Sequence, residues 1–266
     1  MRERDLPEHT SATQLVTYAS CPRRYAYRYV EHRDAEVRGV GMALGSAVHT
    51  TLQWWLEEIA SGQAPESSEV RRVLHADLGA ATVYDDLRWG DATPASLTVE
   101  AERLVRLFIR DMGHIAIKET EVRFDLLLVD PDTGRELPRP LVGYFDIELV
   151  AGNVVELKTT KRAFAAVELR AGLQFAAYRT ASRYLGVDVE VCALVRTKTP
   201  KLQHVVLPHD REVSRWFMRA ASGIERAILG GHFPAAPGRT CAYCEYRGAC
   251  LGVEAREEDV ADAEAA

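Results

Sequence analysis

Residues 140–158, PLVGYFDIELVAGNVVELK, decide the fold of this chain because they read as two strands joined by a tight turn. Leu141–Val150 mixes β-branched and aromatic residues, Ala-Gly-Asn supplies the turn, and Val154–Thr159 is the second strand. Successive side chains alternate across a strand, so Glu156 and Lys158 lie on one face and the residue between them lies on the other. The stretch therefore predicts a β-hairpin with a charged face.

The hairpin also predicts that two carboxylates lie close together, because Asp146 on the first strand can lie beside Glu156 on the second. Two acids on neighbouring strands repel each other unless a cation lies between them, and Mg²⁺ prefers such oxygen ligands. Lys158 can then hold an attacking water or stabilise charge that develops on a phosphate. The alternative is an amphipathic hairpin whose solvent face carries acids and a lysine without any catalytic role.

Composition is that of an ordinary soluble globular protein. The 266 residues are 47% hydrophobic and 27% charged, and this length allows one sizeable core with a small appendage. We find no apolar run long enough for a membrane span, and the polar N-terminus, MRERDLPEHT, lacks the apolar core of a signal peptide. The sequence therefore predicts a cytoplasmic protein with no membrane partner.

Charge is unevenly distributed along the chain. The formal net charge is −6, but the tail Glu254–Ala266 carries six acids and one arginine, which leaves −1 for the rest. The total argues against a protein that coats nucleic acid along its whole surface. A nearly neutral body still permits a local basic groove.

Five cysteines are present, and in a reducing compartment thiols or metal ligands are more common than disulfides. Cys192 lies in the apolar run VEVCALV, which predicts an inert core thiol. Cys21 stands alone near the start, whereas Cys241, Cys244 and Cys250 form a C-x(2)-C-x(5)-C cluster near the end. Zinc suits four thiolates but usually takes two close pairs, and an iron–sulfur cluster accepts a split of one plus three.

Hydrophobic periodicity predicts helices and strands along the rest of the chain. A first helix begins near Ser11 and is interrupted at Cys21-Pro22. The further predicted helices are Gly41–Ala60, Glu69–Ala81, Leu97–Asp111, Glu168–Tyr184 and Glu212–Leu229, and the further predicted strands are Glu119–Val129, Val187–Thr197 and His204–Leu207.

Some residues of these helices allow two interpretations. Arg24, Tyr25, Arg28 and Tyr29 interleave cations with aromatic rings, a pattern that can grip phosphates and stack bases, or can dock its tyrosines on the core. A lone helical histidine such as His49 is usually structural, although Gly45 one turn earlier would let another backbone or a substrate approach.

Helix 168–184 places Gln174 and Tyr178 one turn apart on one face. The alternative to a role in the site is that Tyr178 packs into the core. The strand around Glu121 can direct that acid toward Asp146, and Lys161 gives a basic edge next to the hairpin.

Together these motifs resemble the RecB-like branch of the PD-(D/E)xK nucleases. The resemblance is greatest to members with an iron–sulfur cluster: the CRISPR-associated Cas-four nucleases, the AddB nuclease domain and related stand-alone exonucleases. It extends over about residues 11–251, and no G-x(4)-G-K-[ST] phosphate loop of a helicase motor is present. The motifs, in order, are Cys21, Gly45-x(3)-His49, Gly143-x(2)-Asp146, Glu156-x-Lys158, Gln174-x(3)-Tyr178 and Cys241/Cys244/Cys250.

The resemblance implies roles for individual residues. His49, Asp146, Glu156 and the Leu157 carbonyl would bind Mg²⁺ or Mn²⁺, with Glu121 near the metal or in a surrounding position. Asp146, Glu156, Lys158, Gln174 and Tyr178 would form the catalytic group. Cys21, Cys241, Cys244 and Cys250 would bind a [4Fe–4S] cluster. Separately from the resemblance, the interleaved cations and rings and the basic edge predict DNA contacts at Arg24, Tyr25, Arg28, Tyr29 and Lys161.

The implied fold is α/β: a restriction-endonuclease-like central mixed sheet flanked by helices, with a small iron–sulfur lobe formed by the N- and C-terminal cysteines. The expected divisions are an N-terminal helical segment at 1–40, a nuclease core at 41–229, a cysteine cluster at 230–253 and a disordered acidic tail at 254–266.

The implied activity is that of a Mg/Mn-dependent deoxyribonuclease, an exonuclease that hydrolyses phosphodiester bonds at single-stranded DNA ends. Its setting would be DNA repair and recombination or CRISPR spacer acquisition, with the proteins of those processes as partners. The alternative is a non-catalytic iron–sulfur subunit that binds DNA or a partner enzyme.

Overall fold

A computed structural model of the chain describes residues 6–84 and 86–252. The predicted disordered tail, 254–266, lies outside the described residues. In chain order the helices are α1 (Ala12–Ser20), α2 (Pro22–Tyr29), α3 (Val40–Ala60), α4 (Ser67–Tyr84), α5 (Pro94–Met112), α6 (Ala166–Ala171), α7 (Leu173–Leu185), α8 (Arg211–Leu229) and α9 (Arg247–Leu251), with a 3-10 helix at Arg239–Tyr243. The strands are β1 (Arg38–Gly39), β2 (Leu87–Arg88), β3 (Ile117–Leu126), β4 (Leu141–Leu149), β5 (Val154–Thr160), β6 (Val189–Val195) and β7 (Lys201–Leu207).

The central element is a five-stranded sheet in the order β3-β4-β5-β6-β7. The hairpin strands β4 and β5 are antiparallel, β5 and β6 are parallel, and β6 and β7 are antiparallel. A parallel pair needs a crossover connection, and α6 and α7 supply it between β5 and β6. The prediction of a central mixed sheet with flanking helices is therefore confirmed.

The sheet belongs to a compact unit made of residues 39–124 and 144–210. Its main core forms where α3, α4 and α5 pack against one face of the sheet, including Val155 and Leu157 of β5. Every residue of β6 is buried, as expected for a strand covered on both faces. Cys192 lies in this strand with no exposed surface, so its predicted position in the core is confirmed.

The second compact unit contains the described residues 6–38, 125–143 and 211–252. It joins the terminal segments to α8 and to the loop before β4. This grouping is discontinuous in the chain and differs from the continuous nuclease core predicted at 41–229.

Side-chain packing explains why α8 belongs to this second unit. Ile228 of α8 packs with Tyr18 and Tyr25 in a small core. Arg139 donates two hydrogen bonds to Glu225 of α8, at 2.8 and 2.7 Å, and both side chains are almost fully buried. The polar contact fixes residues 125–143 to the helix.

One predicted helix is interrupted. Glu168–Tyr184 was expected to be continuous, but α6 ends at Ala171 and α7 begins at Leu173. Gly172 between them has an extended ψ of 128°, and a Cβ at this position would lie 2.4 Å from the Glu168 carbonyl oxygen. Glycine thus permits a close backbone turn that the hydrophobic pattern does not reveal.

Among the described residues, none of the helices is long and apolar enough to cross a membrane.

Candidate functional site

The β4–β5 hairpin places the first acid of the site. Its register pairs Ile147 with Val155, and Asp146 and Glu156 come next on the two strands. The Asp146 Oδ2 atom accepts a hydrogen bond from the backbone N–H of Leu157. The hairpin therefore fixes the Asp146 carboxylate against β5, as the alternation and the turn had predicted.

His49 reaches the same carboxylate from α3. Its Nε2 atom lies 2.8 Å from Asp146 Oδ1, and this hydrogen bond raises the pKa of His49 above its ordinary value, although burial opposes the change. One turn earlier, the Cβ position of Gly45 would lie 3.8 Å from the Cβ of Thr159 on β5. The glycine thus lies on the helix face that approaches the strand.

Glu121 completes a group of three possible ligands. One ligand atom from each of His49, Glu121 and Asp146 lies within 4.8 Å of the others. Burial, followed by repulsion from Asp146, raises the pKa of Glu121. The donors are two carboxylates and one imidazole, so a divalent cation would relieve this repulsion and satisfy the set.

The backbone of Glu121 is itself unusual. Its φ is +53°, in the left-handed region, although the residue lies within β3. A non-glycine residue in that region is strained by about 1–2 kcal/mol, and such strain is often found at functional sites. No sequence pattern signals this conformation, which is why Glu121 appeared from the sequence only as an uncertain neighbour of the metal.

Glu156, which is buried, and Lys158, which is partly buried, form an ion pair beside this group. Glu156 is 2% exposed, and burial raises its pKa to about 7 even though Lys158 favours the charged form. Lys158 Nζ donates to Glu156 Oε1. Burial disfavours the lysine charge, but the carboxylates of Glu156 and Asp146 hold the pKa of Lys158 above its ordinary value.

The second carboxylate oxygen of Glu156 supports a metal-binding role. Oε2 is buried and accepts no hydrogen bond from the described residues. Leaving a buried carboxylate oxygen without a partner is costly, and a cation is one group that would satisfy it. His49, Glu121 and Asp146 thus form a donor set that fits a divalent cation, whereas Glu156 is not one of these three and its role as a ligand stays a prediction. For Leu157 the contact observed is that of its N–H with Asp146, so a role for its carbonyl stays a prediction.

Tyr178 and Gln174 enter the site from α7. The Lys158 Nζ atom lies 5.9 Å from the centre of the Tyr178 ring. The Tyr178 hydroxyl lies near Gln174 and Glu156 but outside hydrogen-bonding geometry to Glu156 Oε2, and burial followed by the Glu156 charge raises its pKa. The ring also packs edge-on against Phe124. Both interpretations of Tyr178 therefore hold, because it packs in the core and also borders the lysine.

We call His49, Glu121, Asp146, Glu156 and Lys158 the acid site.

The second unit contains a separate cavity lined by all four predicted ligand cysteines. They are free thiols, and their neighbours in the cavity wall include Arg23, Arg24 and Tyr27. Cys192 lies in the other unit, where burial raises the pKa of its thiol to about 12. The cysteines that line the cavity are Cys21, Cys241, Cys244 and Cys250.

Long-range contacts hold this region together; we call residues 21–38 with 239–251 the cysteine lobe. Arg24 forms an ion pair with Glu245 at 2.8 Å. The Glu36 carboxylate accepts the backbone N–H groups of Gly248 and Ala249 at 2.9 and 2.7 Å. These contacts join the two terminal segments without any bound group.

The predicted DNA-contacting residues separate into different environments. Tyr25 has no exposed surface and accepts a hydrogen bond from Arg139, so the core-docking interpretation describes it. Arg28 is exposed, and its guanidinium lies 5.3 Å from the Tyr29 ring centre. Lys161 is exposed in the other unit, whereas Arg24 contacts Glu245.

A comparison with known protein families finds a match over most of the chain. Residues 9–251 match the family model of the PD-(D/E)XK nuclease superfamily. No curated protein matches the sequence. A crystal structure described as a "Putative exonuclease" from Eubacterium rectale has a TM-score of 0.57 and 11% identity, and the match covers 90% of this chain and 88% of that one. This likeness is evidence for a shared fold.

A second solved structure, described as SSO0001, has 14% identity and a TM-score of 0.39 over 95% of this chain and 88% of that chain. At that score the likeness carries no argument.

Proposed function

This chain belongs to the PD-(D/E)XK nuclease superfamily, and from that premise we propose that it is a Mg²⁺- or Mn²⁺-dependent DNA exonuclease acting on single-stranded ends. The catalytic residues in this proposal are Asp146, Glu156 and Lys158, with Gln174 and Tyr178 in support. The biological setting, DNA repair and recombination or CRISPR spacer acquisition, rests on the sequence resemblance.

The observation that carries the proposal is the arrangement of the acid site. Three ligand groups lie within 4.8 Å of one another, and a buried Glu156 oxygen beside them has no hydrogen-bond partner. An ordinary solvent-facing hairpin would not bury an acid as deeply as Glu156, since charged groups are rarely buried without a function or a partner. The alternative of a non-catalytic amphipathic hairpin is therefore disfavoured.

The geometry of the acid site suggests a role in catalysis for each of its residues. A divalent cation, when bound, would activate water and neutralise charge that develops on the scissile phosphate. His49, Glu121, Asp146 and Glu156 would hold it, and the Leu157 N–H keeps Asp146 oriented. Lys158 carries a positive charge next to Glu156, where it can orient the attacking water or contact a phosphate oxygen.

Tyr178 and Gln174 act as positioning residues in this proposal. The Tyr178 ring limits where the Lys158 ammonium can lie, because the two approach within 5.9 Å. Its hydroxyl, near Gln174 and Glu156, stays protonated because burial and the Glu156 charge raise its pKa.

We also propose that the cysteine lobe binds a [4Fe–4S] cluster. Four free thiols line one cavity, and thiolates are the usual ligands of such clusters. The split of one cysteine plus three in the sequence favours this cluster over zinc, which usually takes two close pairs. Its role would be a structural link between the terminal segments, without electron transfer.

The alternative function is a non-catalytic iron–sulfur subunit that binds DNA or a partner enzyme. The cysteine lobe would serve either function equally. The acid site distinguishes them, because a binding subunit has no use for a lysine paired with a buried acid, an unpartnered carboxylate oxygen and a strained acid in one place.

A nuclease assay on end-labelled linear and on circular single-stranded DNA tests the proposal. We expect Mg²⁺ or Mn²⁺ to support degradation of the linear strand, EDTA to stop it, and the circle to persist. Cleavage of the circle would replace the exonuclease with an endonuclease. Absence of cleavage with either metal, combined with retained DNA binding, would favour the non-catalytic subunit.

A further inference from the structure

A cavity in the sheet-containing unit is separate from both the acid site and the cysteine lobe. It has a volume of about 120 Å³ and lies among α3, α4, α5 and the loop before α4. Its walls are mainly apolar, and they include Trp55, Val70, Leu74, Val105 and Ile109. An apolar cavity of roughly 150 Å³ accommodates benzene, so this one suits a single bulky apolar side chain.

The mouth of the cavity is positively charged. Arg71 on α4 and Arg106 on α5 line it, and their side chains are 57% and 72% exposed. Glu102 lies between them, but its nearest partner is His75, at 2.7 Å. Arg71 and Arg106 reach Glu102 only at 4.0 and 3.8 Å. Ion pairs so long and exposed are weak, and carboxylates of a bound molecule can replace them at little cost.

We infer that this cavity binds a short acidic peptide segment of another protein, which inserts one bulky apolar side chain between carboxylates held by Arg71 and Arg106. Both features of the cavity are needed for this choice. The apolar walls bind the anchor side chain, and the two guanidinium groups bind carboxylates in planar, paired geometry.

A nucleic-acid strand fits the same surface less well. Its phosphates would satisfy the arginines, but it brings no aliphatic side chain, and a base in the cavity would leave its polar edge against apolar walls. The peptide is therefore the favoured occupant.

The test is fluorescence anisotropy with a labelled peptide of alternating Asp and Glu residues around one central Leu. We expect saturable binding that weakens with added salt. The double variant Arg71→Glu/Arg106→Glu should weaken binding by about tenfold or more, because both rim charges become repulsive. Replacing the central Leu of the peptide with Ser should weaken it comparably.

Arg72→Glu/Arg103→Glu is the matched control, because these exposed arginines lie on the same two helices but do not line the cavity. It should leave binding within about twofold. Equal loss in both double variants, equal binding of the Ser peptide, or no saturable binding would overturn the inference. Both double variants should retain nuclease activity, so a failure here is distinguishable from a failure of the proposed function.

Two other occupants give different results. If Arg71→Glu/Arg106→Glu weakens binding of a single-stranded oligonucleotide but not of the peptide, the cavity is part of a nucleic-acid surface. If sedimentation shows a dimer that this variant dissociates, the occupant is a second copy of the chain. Either result would replace the acidic peptide.

Discussion

The acid site and the cysteine lobe position their groups by opposite means. His49, Glu121 and Asp146 come from α3, β3 and β4, so regular elements fix them. The cysteine lobe contains short segments from the two ends of the described chain, and hydrogen bonds such as Gly248 N–H to Glu36 join residues 212 positions apart. The first site is held by the fold around it, whereas the second depends on a few connections.

The difference has an energetic consequence. The acid site gathers like charges, and burial and repulsion together raise the pKa of Glu121 and of Glu156. Such an arrangement costs stability until a cation is bound. The cysteine lobe gathers neutral thiols, and a bound cluster would add a link to it. Substitutions in the acid site should therefore lower activity without lowering stability. Substitutions of the cysteines should reduce the colour of a bound cluster and the stability of the protein together.

The largest expected effect is that of Asp146→Asn on DNA cleavage. The substitution keeps the side-chain shape but removes a charge that lies against His49 and near Glu121. We expect activity to fall by about 10²–10³-fold or more, as for loss of a principal electrostatic group. The melting temperature of the metal-free protein should not fall, because a repelling charge has been removed.

Glu148→Gln is the control for Asp146→Asn, because Glu148 lies two residues further along β4. It forms a surface ion pair with Lys118 at 2.7 Å, and such pairs contribute about 0–1 kcal/mol. This variant should cleave DNA normally. Full activity in Asp146→Asn would remove the acid site from the mechanism.

The next effect is that of Cys21→Ser on the cysteine lobe. In the proposed cluster Cys21 is the ligand from the N-terminal segment, so its loss should remove the brown colour, with its broad absorption at roughly 400 nm, from anaerobically purified protein. The free energy of unfolding should fall by about 2–5 kcal/mol, as when a natural cross-link over a long loop is removed.

Cys192→Ser should keep the colour, since this thiol is buried in β6 of the other unit. Metal analysis completes the measurement. A colourless wild-type protein with one equivalent of zinc would show that the cavity binds a different metal.

The sequence also predicts the two sites to different extents. Alternation along a strand predicted that Glu156 and Lys158 share a face, and the structure joins them in an ion pair. Spacing cannot show that Glu156 is almost fully buried, because burial depends on how α7 packs over the strand. Nor does any residue pattern reveal the positive φ of Glu121.

In the cysteine lobe, spacing predicts the four candidate ligand cysteines but not the contacts that hold their segments together. Nothing in the sequence distinguishes Glu36 and Glu245 from the other acids of the chain. Their roles arise from contacts between residues more than 200 positions apart, and local patterns carry no information about such contacts. The break at Gly172 was missed for a related reason, since the hydrophobic period continues across it.

A smaller effect is expected for Glu121→Gly, which tests whether the acid site is held under strain. Glycine adopts a φ of +53° without steric cost, and the substitution also removes a charge near Asp146. We expect the metal-free protein to gain about 1 kcal/mol in unfolding free energy. Activity should fall by about 10–100-fold, as when a group supporting a metal is lost.

Glu119→Gly is the matched control on the same strand, because Glu119 is exposed and has an ordinary φ. The free energy of unfolding of this variant should fall by about 0.5–1 kcal/mol, the usual cost of glycine in a strand, and its activity should be unchanged. If chemical denaturation shows equal destabilisation in both variants, the strain at Glu121 makes no contribution to the free energy of unfolding.

The smallest effect is that of Gly248→Ala, which tests whether hydrogen bonds alone hold the cysteine lobe. A Cβ at Gly248 would lie 2.7 Å from Glu36 Oε2, so the carboxylate must move away from the two N–H groups that it accepts. We expect a loss of about 1 kcal/mol, the typical net value of such hydrogen bonds, measured by chemical denaturation of cluster-free protein. Gly238→Ala is the control, because its Cβ would meet no atom within 4 Å, and it should be nearly neutral. With the cluster bound, the Gly248→Ala protein should lose colour faster than the Gly238→Ala protein under a chelator. Equal rates of loss would mean that the Glu36 contacts do not support the cysteine ligands, and the contrast between the two sites would then rest on the bound cluster alone.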